Sequence, residues 1–334
     1  MRAVLFHGDE RVSVEEVPTP TPGPGEARVR VRYAALCGSE MGAYRASRDR
    51  PVGTGHEAVG VVDDPGDTSL RPGQRVALLA VVGCGRCTYC QSGKFPYCKT
   101  VRSMHPSHAE YVTMVERNCL PLPDDVDDET AIALFGCGIG VAYHGCRRIG
   151  ASRGEVVLVV GAGPIGLAAT LVLRHFGARP VVADVNPYRM GLADGLGAEL
   201  TLNPGDEDVS ESIRAVNGGL LAAKGFLASG SPDACALALA NVEPEGVVAT
   251  VGGVYEFSLN TFRDLSQRDR SLVGSWHYHG DEFEPLLALA RAGLPAAKII
   301  THRFELEQAP EAYRLFEAGQ GGKVLLRAEN GPGR

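Results

Sequence analysis

The stretch Val156-Val157-Leu158-Val159-Val160-Gly161-Ala162-Gly163-Pro164-Ile165-Gly166 decides the architecture of this chain. Its first five residues form a continuous apolar run of strand length, the pattern of a parallel strand buried on both faces. The glycines that follow fit G-x-G-x-x-G, and the apolar spacing then becomes helical from Ile165 to Phe176. A second strand is expected at Pro180–Ala183, so strand, helix and strand fit within about 30 residues, one βαβ unit. In that setting Gly161 permits the tight turn, Gly163 lets the backbone approach a pyrophosphate, and Gly166 lets the helix pack against the strand. The helix N-terminus, with Pro164 and Ile165 in its first turn, offers unpaired N–H groups to the phosphates. Asp184 closes the second strand, where its carboxylate can accept from the adenosine ribose hydroxyls and repel a 2′-phosphate. This favours NAD over NADP, with Arg189 close enough in sequence to oppose it.

Downstream the alternation continues through Gly225–Ala228, Ala234–Val242 and Gly246–Gly252, with Val251 assigned to the cofactor side. The expectation is an α/β chain with a doubly wound parallel sheet. Upstream the texture differs. From Met1 to Val115 short β-type runs alternate with turn signals, as in Arg28-Val29-Arg30-Val31-Arg32-Tyr33 and Ala58-Val59-Gly60-Val61-Val62. Pro121–Asp125 is a turn, and a helical pattern then runs from Asp128 to Arg148 with small residues in its middle. The domain reading is a β-rich domain over 1–148, completed by 276–334 through a returning strand at Lys323–Arg327, and a dinucleotide-binding domain over 149–275.

The chain has 334 residues, 44% apolar and 22% charged, enough for two soluble globular domains. A net charge of −7 argues against non-specific nucleic-acid binding. The apolar stretch Val156–Leu173 is broken by glycines and a proline and changes period midway, so no membrane span is read there. The short apolar run at the start reads as a strand rather than a signal-peptide core, and together with thiol-rich sites this suggests the cytoplasm.

Four of the nine cysteines lie at Cys84, Cys87, Cys90 and Cys98, spaced C-x2-C-x2-C-x7-C. Four thiolates satisfy tetrahedral zinc and leave no open position, so a zinc here would be structural. An iron–sulfur cluster or a disulfide pair are the rivals. Cys119, Cys146 and Cys235 fit no metal spacing and read as small buried apolar side chains. Three further candidates, Cys37, His56 and Cys137, lie too far apart for spacing to join them. A lone cysteine or histidine is more often a core residue than a ligand.

Taken in order, Cys37-Gly38-Ser39-Glu40, Gly55-His56-Glu57, the four-cysteine lobe, His108-Ala109-Glu110-Tyr111-Val112, the glycine turn and Gly322-Lys323-Val324 resemble the zinc-containing medium-chain alcohol, polyol and threonine dehydrogenases. The resemblance runs from about residue 1 to 327. It implies a GroES-like β domain carrying two zincs and a Rossmann domain for the dinucleotide. Cys37, His56 and Cys137 then take the three protein positions on a catalytic zinc, with the fourth open to substrate oxygen. Ser39 matches the hydroxyl that touches that oxygen. Glu57 matches an acid behind the zinc, and Glu40 stands where the family usually has aspartate, hydrogen-bonded to the zinc histidine. A relay histidine found in many members is replaced here by Gly42, which sends the proton through water or past Tyr44. Homo-oligomers, dimers or tetramers, are implied as well.

The implied reaction is NAD-dependent oxidation of a secondary alcohol to a ketone. Tyr44, His277 and Tyr278 are read as a polar substrate pocket suited to a polyol, a sugar-derived alcohol or an aminocyclitol. Their alternative is a packing role. Cys137 departs from the polyol branch, which commonly has an acid there. The competing readings are an NADPH-linked biosynthetic reductase and a non-catalytic dinucleotide-binding relative.

Overall fold

The computed structural model describes residues 1–251, 253 and 256–328. Gly252, the last residue of the expected strand Gly246–Gly252, lies outside this set, as do residues 329–334 of the expected completing segment. The chain divides into two compact units. The first takes Met1–Cys137, His279–Gly293 and the described residues from Ile300 onward; the second takes Gly138–Tyr278 and Leu294–Ile299.

The first unit is built around the strand Glu26–Ala35, whose alternation sorts its side chains. Ala27, Val29 and Val31 are fully buried, while Arg28 turns outward to Asp63 at 2.6 Å and lies over the Tyr111 ring. Ala58–Asp64 and Tyr111–Val115 pair with this strand in antiparallel fashion. Lys323–Arg327 pairs along it too, antiparallel, and brings Ile300–Glu305 with it as a parallel neighbour. The returning strand read at Lys323–Arg327 is therefore present with those bounds. A smaller sheet, Arg11–Glu16, Arg2–Gly8 and Val52–Gly53, completes the unit.

The second unit is a six-stranded, wholly parallel sheet. Its spatial order is Leu200–Leu202, Arg179–Ala183, Val156–Val160, Ala222–Leu227, Val242–Thr250 and Ser271–Gly274. All five residues of Val156–Val160 are buried, as an internal parallel strand requires. The chain moves outward from Val156–Val160 in one direction, then returns and moves out the other way from Ala222–Leu227. The order thus reverses beside the glycine turn, where such sheets bind ligands. Gly161 has φ +97°, and a Cβ on Gly166 would collide with the Gly161 carbonyl.

Two expectations change. The helical pattern over Asp128–Arg148 is two helices, Asp128–Phe135 and Ile139–Ile149, broken at Gly136-Cys137-Gly138. Gly136 is extended (ψ −172°), and a Cβ there would strike the Glu57 carboxylate. The break lets the chain pass close to Glu57. It also moves the division between the units to Cys137/Gly138, ahead of residue 148, because Ile139–Ile149 packs on the parallel sheet, with Gly145 close to Phe226. Among the described residues no helix is long and apolar enough to cross a membrane.

Candidate functional site

In the first unit, strand register explains how distant residues converge. Ala34 pairs with Ala58, so Cys37, just past the end of one strand, faces His56, just before the start of the next. Leu325 pairs with Ala35, which brings Lys323 to the same end of the sheet. Cys137 arrives from the helix break. The ligand atoms of Cys37, His56, Glu57 and Cys137 all lie within 4.8 Å of one another. The Cys137 sulfur is 3.4 Å from His56 Nε2, while Glu40 Oε1 is 3.1 Å from His56 Nδ1 on the other side of the ring. Ser39, exposed, donates to the Cys37 sulfur at 3.3 Å.

Electrostatics sort these groups. Contact with Cys137 holds the Cys37 thiol well below its ordinary value, against burial and with help from His56. Cys137 is pushed well above, by the same contact and by burial. Of the two sulfurs, Cys37 is the one biased toward thiolate. Burial pushes the Glu57 carboxyl up to about 7, against the pull of Lys323. Lys323 Nζ donates to Glu57 Oε1 at 2.7 Å and to the Leu36 carbonyl at 3.2 Å, and lies 2.6 Å from Glu57 Oε2. Both side chains are fully buried. A buried set of two sulfurs and an imidazole, with one sulfur already biased toward thiolate, fits a divalent zinc. With Glu57 engaged by Lys323, Cys37, His56 and Cys137 are the candidate ligands.

Cys84, Cys87, Cys90 and Cys98 form a second such cluster. All four are free cysteines, with Cys87–Cys90 and Cys84–Cys90 sulfur separations of 3.5 and 4.0 Å. Four sulfurs about 2.3 Å from one tetrahedral ion stand about 3.8 Å apart, so the spacing suits zinc and rules out the disulfide reading. Contacts with Thr100 and with the Cys84 N–H pull the Cys98 thiol down to about 6. Cys119, Cys146 and Cys235 are buried, as expected.

In the second unit Gly163 caps the helix Pro164–His175 at its N-terminus, with Pro164 as its first residue. Asp184 accepts from the Ala162 N–H at 2.5 Å and from the Asn186 N–H at 2.8 Å, tying the glycine turn to the end of the second strand. Val251 continues from Val242–Thr250, its N–H bonded to the Leu227 carbonyl at 2.9 Å. Arg189 lies in the helix Pro187–Gly195, whose N-cap is Asn186.

The substrate-pocket reading fares worse. Tyr44 is 2% exposed and sits in the core, stacked on Tyr313 at 5.6 Å and edge-on to Phe6 at 5.8 Å. Tyr278 is 1% exposed. Tyr44 is a packing residue, which removes it from the proton exit as well, and Tyr278 is buried. A tyrosine's hydroxyl suggested a polar role, whereas its ring decided its place. His277 is partly exposed, with φ +59°. The structure adds Lys323 and Tyr313. Lys323 opens an apolar strand, and a cation at the head of a buried run is the signal that could have marked it.

Fold and donor sets together define a zinc-dependent oxidoreductase that uses a nicotinamide dinucleotide. Residues 23–124 match the alcohol dehydrogenase GroES-like domain and residues 164–292 the zinc-binding dehydrogenase domain. The chain belongs to the zinc-containing alcohol dehydrogenases of the medium-chain dehydrogenase/reductase family. An L-threonine 3-dehydrogenase from Anaeromyxobacter sp. (strain Fw109-5) is 35% identical, over 94% of each chain. The alcohol dehydrogenase TADH from Thermus sp. ATN1 is 30% identical over 98% of this chain and 99% of its own, with a TM-score of 0.89. An alcohol dehydrogenase from E. coli CFT073, crystallised with NADH, is 29% identical over 98% and 99%, with a TM-score of 0.87. The protein is an alcohol dehydrogenase with zinc and a nicotinamide dinucleotide as cofactors.

Proposed function

We propose that the chain oxidises a secondary alcohol carrying a neighbouring polar substituent to the ketone, with Cys37, His56 and Cys137 holding the catalytic zinc. The convergence of those three side chains beside a Lys323-neutralised Glu57 is the observation that supports this most. A zinc bound there would supply the Lewis acidity that lowers the pKa of the alcohol hydroxyl, and a bound NAD would supply the hydride acceptor. The remaining work falls to the chain. Ser39, exposed and hydrogen-bonded to Cys37, receives the hydroxyl proton and passes it to solvent. Gly42 provides no side chain for that transfer, and water serves instead. Glu40 orients His56. Lys323 keeps Glu57 from competing as a fourth ligand. Cys84, Cys87, Cys90 and Cys98 hold a structural zinc.

On the dinucleotide, Gly161, Gly163 and Gly166 admit the pyrophosphate, Pro164 and Ile165 lie in the turn beneath it, and Val251 flanks the cofactor. Asp184 receives the ribose hydroxyls, and its charge favours NAD over NADP, with Arg189 in the following helix as the opposing charge. This sets the oxidative reading above an NADPH-linked reductase, and the Cys37, His56 and Cys137 set sets it above a non-catalytic binder, which would not need an open metal site. The substrate class follows the expected polyol, sugar-derived and aminocyclitol alcohols, and the threonine relative extends it to amino alcohols. Assembly as a homodimer or tetramer and a cytoplasmic location complete the proposal.

The test is a panel of polyols, sugars, aminocyclitols, L-threonine and simple secondary alcohols, followed at 340 nm with NAD and with NADP. Turnover of plain aliphatic alcohols alone would overturn the substrate class. Ser39→Ala should retain two zinc per chain and lose most turnover at neutral pH; an active variant would remove Ser39 from the mechanism.

A further inference from the structure

We propose that Tyr313, with His108 behind it, is a positioning residue for the catalytic metal: it clamps the Glu40 carboxylate so that Glu40 holds His56 in its ligating orientation. The inference rests on the reading of Cys37, His56 and Cys137 as a metal site.

The His56 ring has two faces of contact. Its Nε2 points into the ligand cluster, 3.4 Å from the Cys137 sulfur, and its Nδ1 is 3.1 Å from Glu40 Oε1. A carboxylate at ion-pair distance from Nδ1 favours the tautomer with its proton there and so restrains the tilt of a ligating histidine. That restraint is only as firm as the carboxylate itself. Glutamate has one more torsion than the aspartate usual at this place, so Glu40 needs a second anchor to hold its other oxygen.

Tyr313 provides that anchor. Its hydroxyl donates to Glu40 Oε2 at 2.8 Å. The backbone N–H of Cys37, at 3.4 Å from the same oxygen, is a weaker contact. The hydroxyl oxygen also lies 2.8 Å from His108 Nδ1, and His108 Nε2 lies 3.1 Å from the Ala35 carbonyl. With the phenol proton directed at Glu40, His108 gives its one N–H to the Tyr313 oxygen, and its Nε2 edge lies beside Ala35, which ends the strand that delivers Cys37. Glu40 is 6% exposed, Tyr313 0% and His108 1%, so water does not compete for these contacts. The Tyr313 ring is gripped by Phe6, edge-on at 4.9 Å, and by Tyr44, stacked at 5.6 Å. Burial also holds the phenol well above its ordinary value, which keeps the hydroxyl a donor.

The alternative is that Tyr313 merely fills the core. Tyr313→Phe separates the two, because it keeps the ring and its packing and removes only the hydroxyl. The full chain is loaded with Co2+, and metal loss to a chelator is followed by the Co2+ absorption bands. Tyr313→Phe should lose the metal of the Cys37/His56/Cys137 site about tenfold faster than the wild type, with shifted bands, while the four-cysteine lobe loses its metal at the wild-type rate. Glu40→Asp shortens the carboxylate out of reach of Tyr313, so adding Tyr313→Phe to it should change little further. His108→Gln should accelerate loss about threefold and reports on the same contacts should Tyr313→Phe fail to fold. Wild-type bands and loss rates in a folded Tyr313→Phe, or full additivity with Glu40→Asp, would overturn the inference alone. A wild-type chain that takes up metal only at the lobe would overturn the site reading beneath it.

Discussion

Replacing Lys323 with methionine removes the cation that donates to Glu57 and leaves an apolar side chain of similar length in its place. Breaking a buried pair in this way ordinarily costs about 3–5 kcal/mol. Here the cost depends on pH, because Glu57 has an escape. Its carboxyl, ordinarily at 4.5, is already pushed up to about 7 by burial, so the wild-type carboxyl is largely protonated below neutrality. The sign follows from linkage. Between pH 4.5 and 7 the folded protein holds a proton that the unfolded chain has released, so wild-type stability falls with pH across that window and levels off above 7. Without Lys323 the folded value rises further, and the fall continues beyond 7 at about 1.4 kcal/mol per pH unit. Lys323→Met should therefore lie within about 1 kcal/mol of wild type at pH 6 and fall about 3 kcal/mol below it at pH 9. Urea melts of metal-depleted protein measure this, since a dication beside Glu57 would pull its carboxyl down. The double variant Glu57→Gln/Lys323→Met should abolish the extra pH dependence. A deficit of 3–5 kcal/mol that stays constant from pH 6 to 9 would refute the reasoning, since it would mean that Glu57 is permanently ionised.

Other outcomes follow from single contacts. Asp127 caps the helix Asp128–Phe135, accepting from the Thr130 N–H at 2.8 Å and from its hydroxyl at 2.7 Å, so Asp127→Ala should cost about 1 kcal/mol in a thermal or urea melt. Asp184→Ser should weaken NAD binding about tenfold and raise the relative use of NADP, as read by the ratio of kcat/KM values for the two cofactors. Cys90→Ser should lower zinc content from two to one per chain by elemental analysis and make the lobe Cys84–Cys98 the first segment cut by protease.

Legibility in the sequence tracked how local the governing physics was. Val156–Val160 and its glycine turn could be read directly, because a doubly buried strand and a phosphate-binding turn impose their patterns within a dozen residues. The four-cysteine lobe was equally legible. Cys37, His56 and Cys137 were not, because strand register and a helix break join them. That break is not legible locally, because the extended path at Gly136 is set by close approach to the distant Glu57. Tyr44 was misplaced for a related reason: its partners Phe6 and Tyr313 lie at opposite ends of the sequence.

The strand Lys323–Arg327 has a consequence for how the chain folds. Glu57 and Lys323 are 266 residues apart, with the whole second unit between them. A chain leaving the ribosome presents Cys37, His56 and Glu57 early, while Lys323 emerges only after the parallel sheet has been made. Until then Tyr33, Ala34 and Ala35 remain an open sheet edge, and Glu57 has no counter-cation. Closing so long a loop is slow more than it is costly, so docking of this strand is the expected late step in folding. The environment of the metal ligands would then be finished after the dinucleotide unit, although the ligands themselves are synthesised before it.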